Sequence, residues 1–157
     1  MRLGIGLRQT AAIIGLAALL TIGTRAGCVP GEDSPAKTYG PIPWTASVPN
    51  ARKVAKQQKK PILIDFYAEW CGPCKEMLRT TYKDSKVVAR AKQFVPVLVN
   101  VDKQPELAKK YGVQLLPTVV FTDAKGAVLR KQEGYDSADD FLALTDGVLK
   151  QVVAAKK

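Results

Sequence analysis

The chain has 157 residues and 46% hydrophobic content, enough for one packed domain plus a terminal extension, which excludes the disordered class. Three cysteines are too few for a disulfide-stapled mini-protein, and the lack of any histidine removes Ser-His and Cys-His catalysis together with the commonest metal ligand. The formal charge is +10; Arg2, Arg8 and Arg25 lie in the N-terminal segment, and the remainder is near +7, with 21 basic residues against 14 acidic. Its lysines are dispersed except for Lys53, Lys56, Lys59 and Lys60, which fall on one predicted helix without interleaved aromatics. That pattern is a solvated face, and no nucleic-acid partner is expected.

At the N-terminus, Arg2 and Arg8 precede an apolar run from Ala11 to Ile22. A charged n-region followed by a short h-region reads as an export signal, and the run is shorter than the roughly 20 apolar residues a spanning helix needs. Residues 1–28 are therefore expected to be a signal peptide or membrane anchor. Thr24-Arg25-Ala26 allows cleavage after Ala26. Ala26-Gly27-Cys28 also resembles the end of a bacterial lipoprotein signal, which makes Cys28 a candidate for lipidation, although Arg25 stands where that pattern has an apolar residue. Otherwise Cys28 is a spare thiol in a leader. Residues 29–47 are rich in Pro, Gly, Ser and Thr, with Trp44 the one large apolar group, and read as a linker holding the domain at 48–157 away from a membrane.

Within the domain, Ser47 or Asn50 can cap a helix with Pro49 in its first turn, ended by Pro61. Ile62 to Ala68 is a nearly continuous apolar run, expected of a strand buried on both faces. A helix is expected from Cys71 to about Thr81, then a shorter one capped by Asp84-Ser85 and running to about Gln93. Phe94 to Val101 reads as a second buried strand, and Pro105 to Tyr111 as a short helix stopped by Gly112. Thr118–Thr122 and Ala127–Gln132 form a hairpin through Asp123-Ala124-Lys125-Gly126. Ser137 caps a last amphipathic helix with Phe141, Leu142, Leu144 and Val148 on its apolar side. Strand–helix alternation ending in a hairpin implies an α/β fold, a central mixed sheet with helices on both faces.

Trp70-Cys71-Gly72-Pro73-Cys74 falls where a buried strand gives way to a helix. At a helix N-terminus, unpaired N–H groups and the macrodipole stabilise an anion, so the thiol of Cys71 is activated as a thiolate nucleophile. Cys74 follows three residues later on the same side of the first turn, close enough to close a small-ring disulfide. Gly72 permits the turn, and Pro73 needs no hydrogen bond there. Structural zinc would want four ligands and covalent haem a histidine after the second cysteine, where Lys75 stands; no metal is expected. Asp65 lies inside the apolar strand, six positions before Cys71. Such an acid is neutral with a raised pKa, salt-bridged, or on the solvent face.

These residues, together with Asn100-Val101-Asp102, Tyr111-Gly112-Val113, Leu116-Pro117-Thr118 and Gly134, resemble the thioredoxin family over residues 48–155. The break at Thr81–Ser85 is nearer to the C-terminal domain of the disulfide reductase DsbD than to cytosolic thioredoxin. The resemblance implies a thioredoxin fold and thiol–disulfide exchange at Cys71 and Cys74. It implies that Asp65 accepts the Cys74 proton and that Pro117 is a cis-proline, leaving the backbone of Leu116 free to pair with an extended substrate. Trp70, with Gly72 and Pro73, would complete the substrate-binding surface. One departure is clear: the family's lysine near the acid maps to Leu98.

The expectation is an exported protein-disulfide reductase on the periplasmic side of a bacterial envelope, monomeric, needing no cofactor for exchange. Protein disulfides would be its substrates and a membrane thiol donor would re-reduce it, because the envelope is kept oxidising. The rivals are the same chemistry run as oxidant or isomerase, and a non-catalytic peptide-binding module.

Overall fold

The computed structural model describes residues 39–155. Residues 1–38, and with them the expected export segment and Cys28, lie outside the described part. Within it the elements follow in order: α1 (Val48–Gln58), β1 (Ile62–Tyr67), α2 (Gly72–Arg79), a 3-10 turn (Thr81–Lys83), α3 (Ser85–Ala91), β2 (Val95–Asn100), α4 (Pro105–Lys110), β3 (Thr118–Thr122), β4 (Val128–Glu133) and α5 (Ala138–Ala154). Among the described residues no helix is long and apolar enough to cross a membrane.

The four strands form one sheet in the order β2-β1-β3-β4, with β1 parallel to β2 and antiparallel to β3, and β4 antiparallel to β3. All six residues of β1 and of β2 are buried, the signature of strands covered on both faces. Side chains alternate across β1. Leu63 and Tyr67 enter one core, with Cys71, Cys74, Met77, Tyr82 and Phe141. Ile62, Ile64 and Phe66 enter the other, with Val48, Ala51 and Ala55 of α1 and Ala108 of α4. The sheet is thus mixed with helices on both faces, the expected architecture.

Local chemistry sets the boundaries. The Ser47 hydroxyl caps α1, the Asp84 carboxylate accepts from Lys86 and Val87 N–H at the start of α3, and Ser137 caps α5. The hairpin turn closes on Asp123 Oδ1, which accepts from Lys125 N–H at 2.8 Å and Ala127 N–H at 2.9 Å, with Gly126 at φ +94°.

One reading needs correction. The segment 39–47, expected as part of a linker, is packed onto the domain: Ile42 and Trp44 are 1% and 2% exposed. Thr45 adds a parallel bridge to the free edge of β2, donating to Pro96 C=O at 3.1 Å and accepting from Leu98 N–H at 2.9 Å. The alternation of Ile42 and Trp44 places both on the sheet's α5 face, where their burial outweighs the turn-forming composition around them. The helix after Cys71 ends at Arg79, two residues before the expected boundary, and in the expected break a 3-10 turn carries Tyr82 fully into the core. On α5 Phe141, Thr145 and Val148 are buried, and Leu142 and Leu144 are half-buried against the same core, the expected apolar side. Thr145 tolerates this because its hydroxyl donates to Leu142 C=O at 2.9 Å.

Candidate functional site

The site forms at the C-terminal edge of β1. The chain leaves β1 at Tyr67 and turns through a Cys71 N–H to Ala68 C=O bond of 3.2 Å. Cys71 takes an extended conformation as the N-cap of α2, and its Sγ accepts from Cys74 N–H at 3.2 Å. A cap position is normally filled by an oxygen acceptor; here sulfur occupies it, so the free N–H groups of the first turn point at the atom that becomes the thiolate. Cys71 and Cys74 are joined by a disulfide, with Cα atoms 5.3 Å apart. Both are covered in this state, 4% and 2% exposed, while Gly72 and Pro73 between them are exposed.

Beside the cysteines stands Trp70, 69% exposed. Its Nε1–H donates to Asp102 Oδ2 at 3.1 Å, which fixes the indole over the surface. Asp102 is itself held by a turn in which Asn100 Oδ1 accepts from Asp102 N–H at 2.9 Å and from Lys103 N–H at 3.2 Å. This anchoring role of Asp102 was not foreseen, although an Asn two residues before an Asp at a strand end is a visible turn signal. A second unforeseen network lies on the near side. Tyr67 OH donates to Tyr39 OH at 2.9 Å, and Tyr39 OH donates to Glu69 Oε1 at 2.5 Å. Both phenols are shifted up, chiefly by burial.

The Leu116–Pro117 peptide bond is cis. Phe66 pairs with Thr118, so Pro117 lies level with Tyr67 at the edge from which the chain departs toward Cys71. Pro117 C=O accepts from Gly134 N–H at 2.8 Å, tying it to the end of β4. The backbone N–H and C=O of Leu116 form no hydrogen bond among the described residues, and neighbouring Leu115 is 54% exposed. A free backbone edge bordered by apolar side chains is what an extended peptide needs to pair.

Asp65 projects to the same face of β1 as Leu63 and Tyr67, into the core that holds Cys74. It is 2% exposed. Its ladder neighbours are Leu98 on β2 and Val119 on β3, so no cation faces it from either strand. Burial raises its pKa to about 7; the nearby Tyr82 hydroxyl draws it part of the way back, and the Asp136 carboxylate pushes it up further. The Tyr82 hydroxyl faces Asp65 without reaching good hydrogen-bond geometry. Of the alternatives open from sequence, the structure selects the buried acid with a raised pKa.

Residues 48–149 match the thioredoxin-like domain family. The chain belongs to that family. Among solved structures it is similar to a thioredoxin from Thermus thermophilus, with 25% identity and TM-score 0.66 over 74% of this chain and 93% of that one. It is also similar to the oxidised C-terminal domain of DsbD from Neisseria meningitidis, with 26% identity and TM-score 0.58 over 66% of this chain and 97% of that one. In sequence, 77 residues are 44% identical to the thiol:disulfide interchange protein DsbD of Vibrio vulnificus, covering 46% of this chain and 13% of that protein. The thioredoxin-like chain therefore corresponds to a small part of DsbD's length. Fold, family and a disulfide-bonded Cys-Gly-Pro-Cys at the helix start together describe a thioredoxin-like protein-disulfide oxidoreductase.

Proposed function

We propose that this thioredoxin-like protein is an exported protein-disulfide reductase. The observation that carries the reading is Cys71 Sγ seated as the N-cap of α2, bonded to Cys74, above a sheet face that buries Asp65. In the reduced protein the Cys71 thiolate attacks one sulfur of a substrate disulfide. A mixed disulfide forms and the substrate's other cysteine leaves as a thiolate. Cys74 then gives its proton to the Asp65 carboxylate and attacks Cys71 Sγ. The Cys71–Cys74 disulfide forms and the second substrate cysteine leaves. Two electrons pass from the Cys71–Cys74 pair to the substrate, and no cofactor takes part.

Leu116 and Pro117 present the backbone edge on which an extended substrate pairs, and Trp70, Gly72 and Pro73 supply the apolar surface around the reacting sulfur. A membrane thiol donor re-reduces the pair on the periplasmic side of the envelope; similarity to proteins named thiol:disulfide interchange protein supports that partner. The Gly72-Pro73 dipeptide supports the reducing direction over oxidation or isomerisation. The protein acts as a monomer, delivered by the export segment at 1–28.

Cys74→Ser in the full chain tests the reading. It should accumulate mixed disulfides through Cys71 with envelope proteins, and these should fall apart on adding a reductant. Absence of any Cys71-linked adduct would refute an exchange role; wild-type protein that oxidises reduced envelope thiols from its Cys71–Cys74 disulfide, but leaves substrate disulfides intact when reduced, would reverse the direction.

A further inference from the structure

Three buried polar side chains border the core behind the cysteines. Asp65 Oδ1, Tyr82 Oη and Asp136 Oδ2 are each buried without a hydrogen-bond partner among the described residues. They belong to three different elements: β1, the 3-10 turn, and the loop between β4 and α5. Tyr82 and Asp136 both act on Asp65, and Asp65 and Asp136 both act on Tyr82. A coincidence of loose packing is an unsatisfactory account, because all three are firmly placed. The Tyr82 ring is 0% exposed and makes edge-to-face contacts with Trp44 at 5.0 Å and Phe141 at 5.4 Å. The Asp136 loop is pinned to the same turn by Thr81 Oγ1–H donating to Asp136 C=O at 2.7 Å. Gln132 Nε2–H donates to the other Asp136 oxygen at 3.3 Å, leaving Oδ2 directed inward.

The charge balance of this cluster is unusual. Two carboxyls and a phenol border the same core. The ladder neighbours of Asp65 are apolar, Leu98 from β2 and Val119 from β3; Phe141 from α5 and Trp44 from the N-terminal segment carry no charge. The remaining group that faces the cluster is Asp140 in the first turn of α5, which pushes Asp136 up as burial does. Burial raises both carboxyls and a like charge raises each further, so ionising both at once is disfavoured.

We propose that Tyr82 and Asp136 are a matched pair of positioning residues that set, with opposite signs, how readily Asp65 takes the Cys74 proton. The Tyr82 O–H favours the Asp65 carboxylate; the Asp136 charge disfavours it. Tyr82 does from the helix side what a cation beside β1 cannot do where Leu98 stands, and Asp136 opposes it. The inference rests on the role of Asp65 in resolution proposed above. In that step the thiol proton of Cys74 moves to the Asp65 carboxylate while the Cys74–Cys71 S–S bond forms and the Cys71–substrate S–S bond breaks. The proton later leaves to solvent when Asp65 re-ionises.

The test uses Asp136→Asn and Tyr82→Phe in the full chain, solubilised in mild detergent. Both substitutions keep shape, and the introduced amide retains an oxygen for Gln132. The first measurement is a carboxyl 13C NMR titration of Asp65 in the disulfide form, where the cysteines do not titrate. The second is the pH dependence of mixed-disulfide resolution by stopped flow. Asp136→Asn should move the Asp65 midpoint and the acid limb of resolution down; Tyr82→Phe should move both up. Each shift should be at least about 0.3 pH unit, twofold in rate on the acid limb. Shifts of the same sign in both variants, or an unmoved Asp65 titration, would overturn the inference. A titration that shifts as stated while resolution stays put would instead remove Asp65 from the resolving step.

Discussion

Burial of Asp65 makes a quantitative prediction for stability. The pKa rises from 3.8 to about 7 in the folded state, with desolvation the main cause. A rise of about three units is worth about 4 kcal/mol at roughly 1.4 kcal/mol per unit. The sign follows from proton counting. Between pH 4 and 7 the unfolded chain loses the Asp65 proton while the folded protein keeps it, so folding stability falls as pH rises through that window and levels off above it. Asp65→Asn removes the titration. The stability of the variant minus that of the wild type should therefore grow between pH 4 and pH 8 by about 2–4 kcal/mol, the lower figure allowing for relaxation around the ionised group. Urea unfolding of the oxidised full-length protein at 25 °C, followed by fluorescence, measures the difference, since Trp44 is buried and reports the transition. Asp136, also shifted up, titrates in both proteins and largely cancels. A difference that stays constant within about 0.5 kcal/mol from pH 4 to 8, or shrinks, would refute the buried-acid account.

In the reduced protein, iodoacetamide near neutral pH should label Cys71 before Cys74, because only Cys71 sits at the cap; mass mapping that finds Cys74 labelled first would reverse their roles. Trp44→Ala should cost about 3–5 kcal/mol by urea unfolding, as expected for emptying a fully buried indole site, and a loss under about 1 kcal/mol would return residues 39–47 to the status of a linker. Asp102→Ala should leave stability within about 0.5 kcal/mol but slow turnover of protein disulfides relative to a small-molecule disulfide, since the exposed Trp70 loses its anchor; equal slowing of both would place Asp102 in the chemistry instead. Cell fractionation of the full chain should place it with membranes facing the periplasm, with Cys28→Ala releasing it if lipidation is the anchor; wholly soluble protein beginning at Gly27 would exclude a tether.

The parts of the site written in consecutive residues were legible. The spacing of Cys71 and Cys74, the strand-to-helix switch between Ala68 and Gly72, and a lone acid in an apolar run each follow from local periodicity. What was not legible depends on contacts far apart in sequence. Tyr82 looks like a residue in a helix break, and only the 3-10 turn reveals that it fills the space between Trp44 and Phe141. Asp136 lies 71 positions after Asp65 in a polar loop, with no motif to mark it. The residues around Trp44 show turn composition, and composition prevailed in the reading, but Ile42 and Trp44 alternate as strand residues do, and tertiary burial decided the outcome.

The leucine at position 98 connects these points. A lysine opposite Asp65 on the β1–β2 ladder could compensate a carboxylate directly; Leu98 is 2% exposed and offers only hydrocarbon. A lone ionised acid there would be costly, so the neutral form must be accessible near neutral pH, and something must keep the carboxylate from becoming too costly to form. The hydroxyl of Tyr82 meets that second need. Reaching it requires the helix after Cys74 to end at Arg79, because a continuous helix through 82 would carry the ring onward along its own axis rather than turn it beneath the sheet. Introducing Leu98→Lys should therefore make Tyr82→Phe far less consequential for the Asp65 titration.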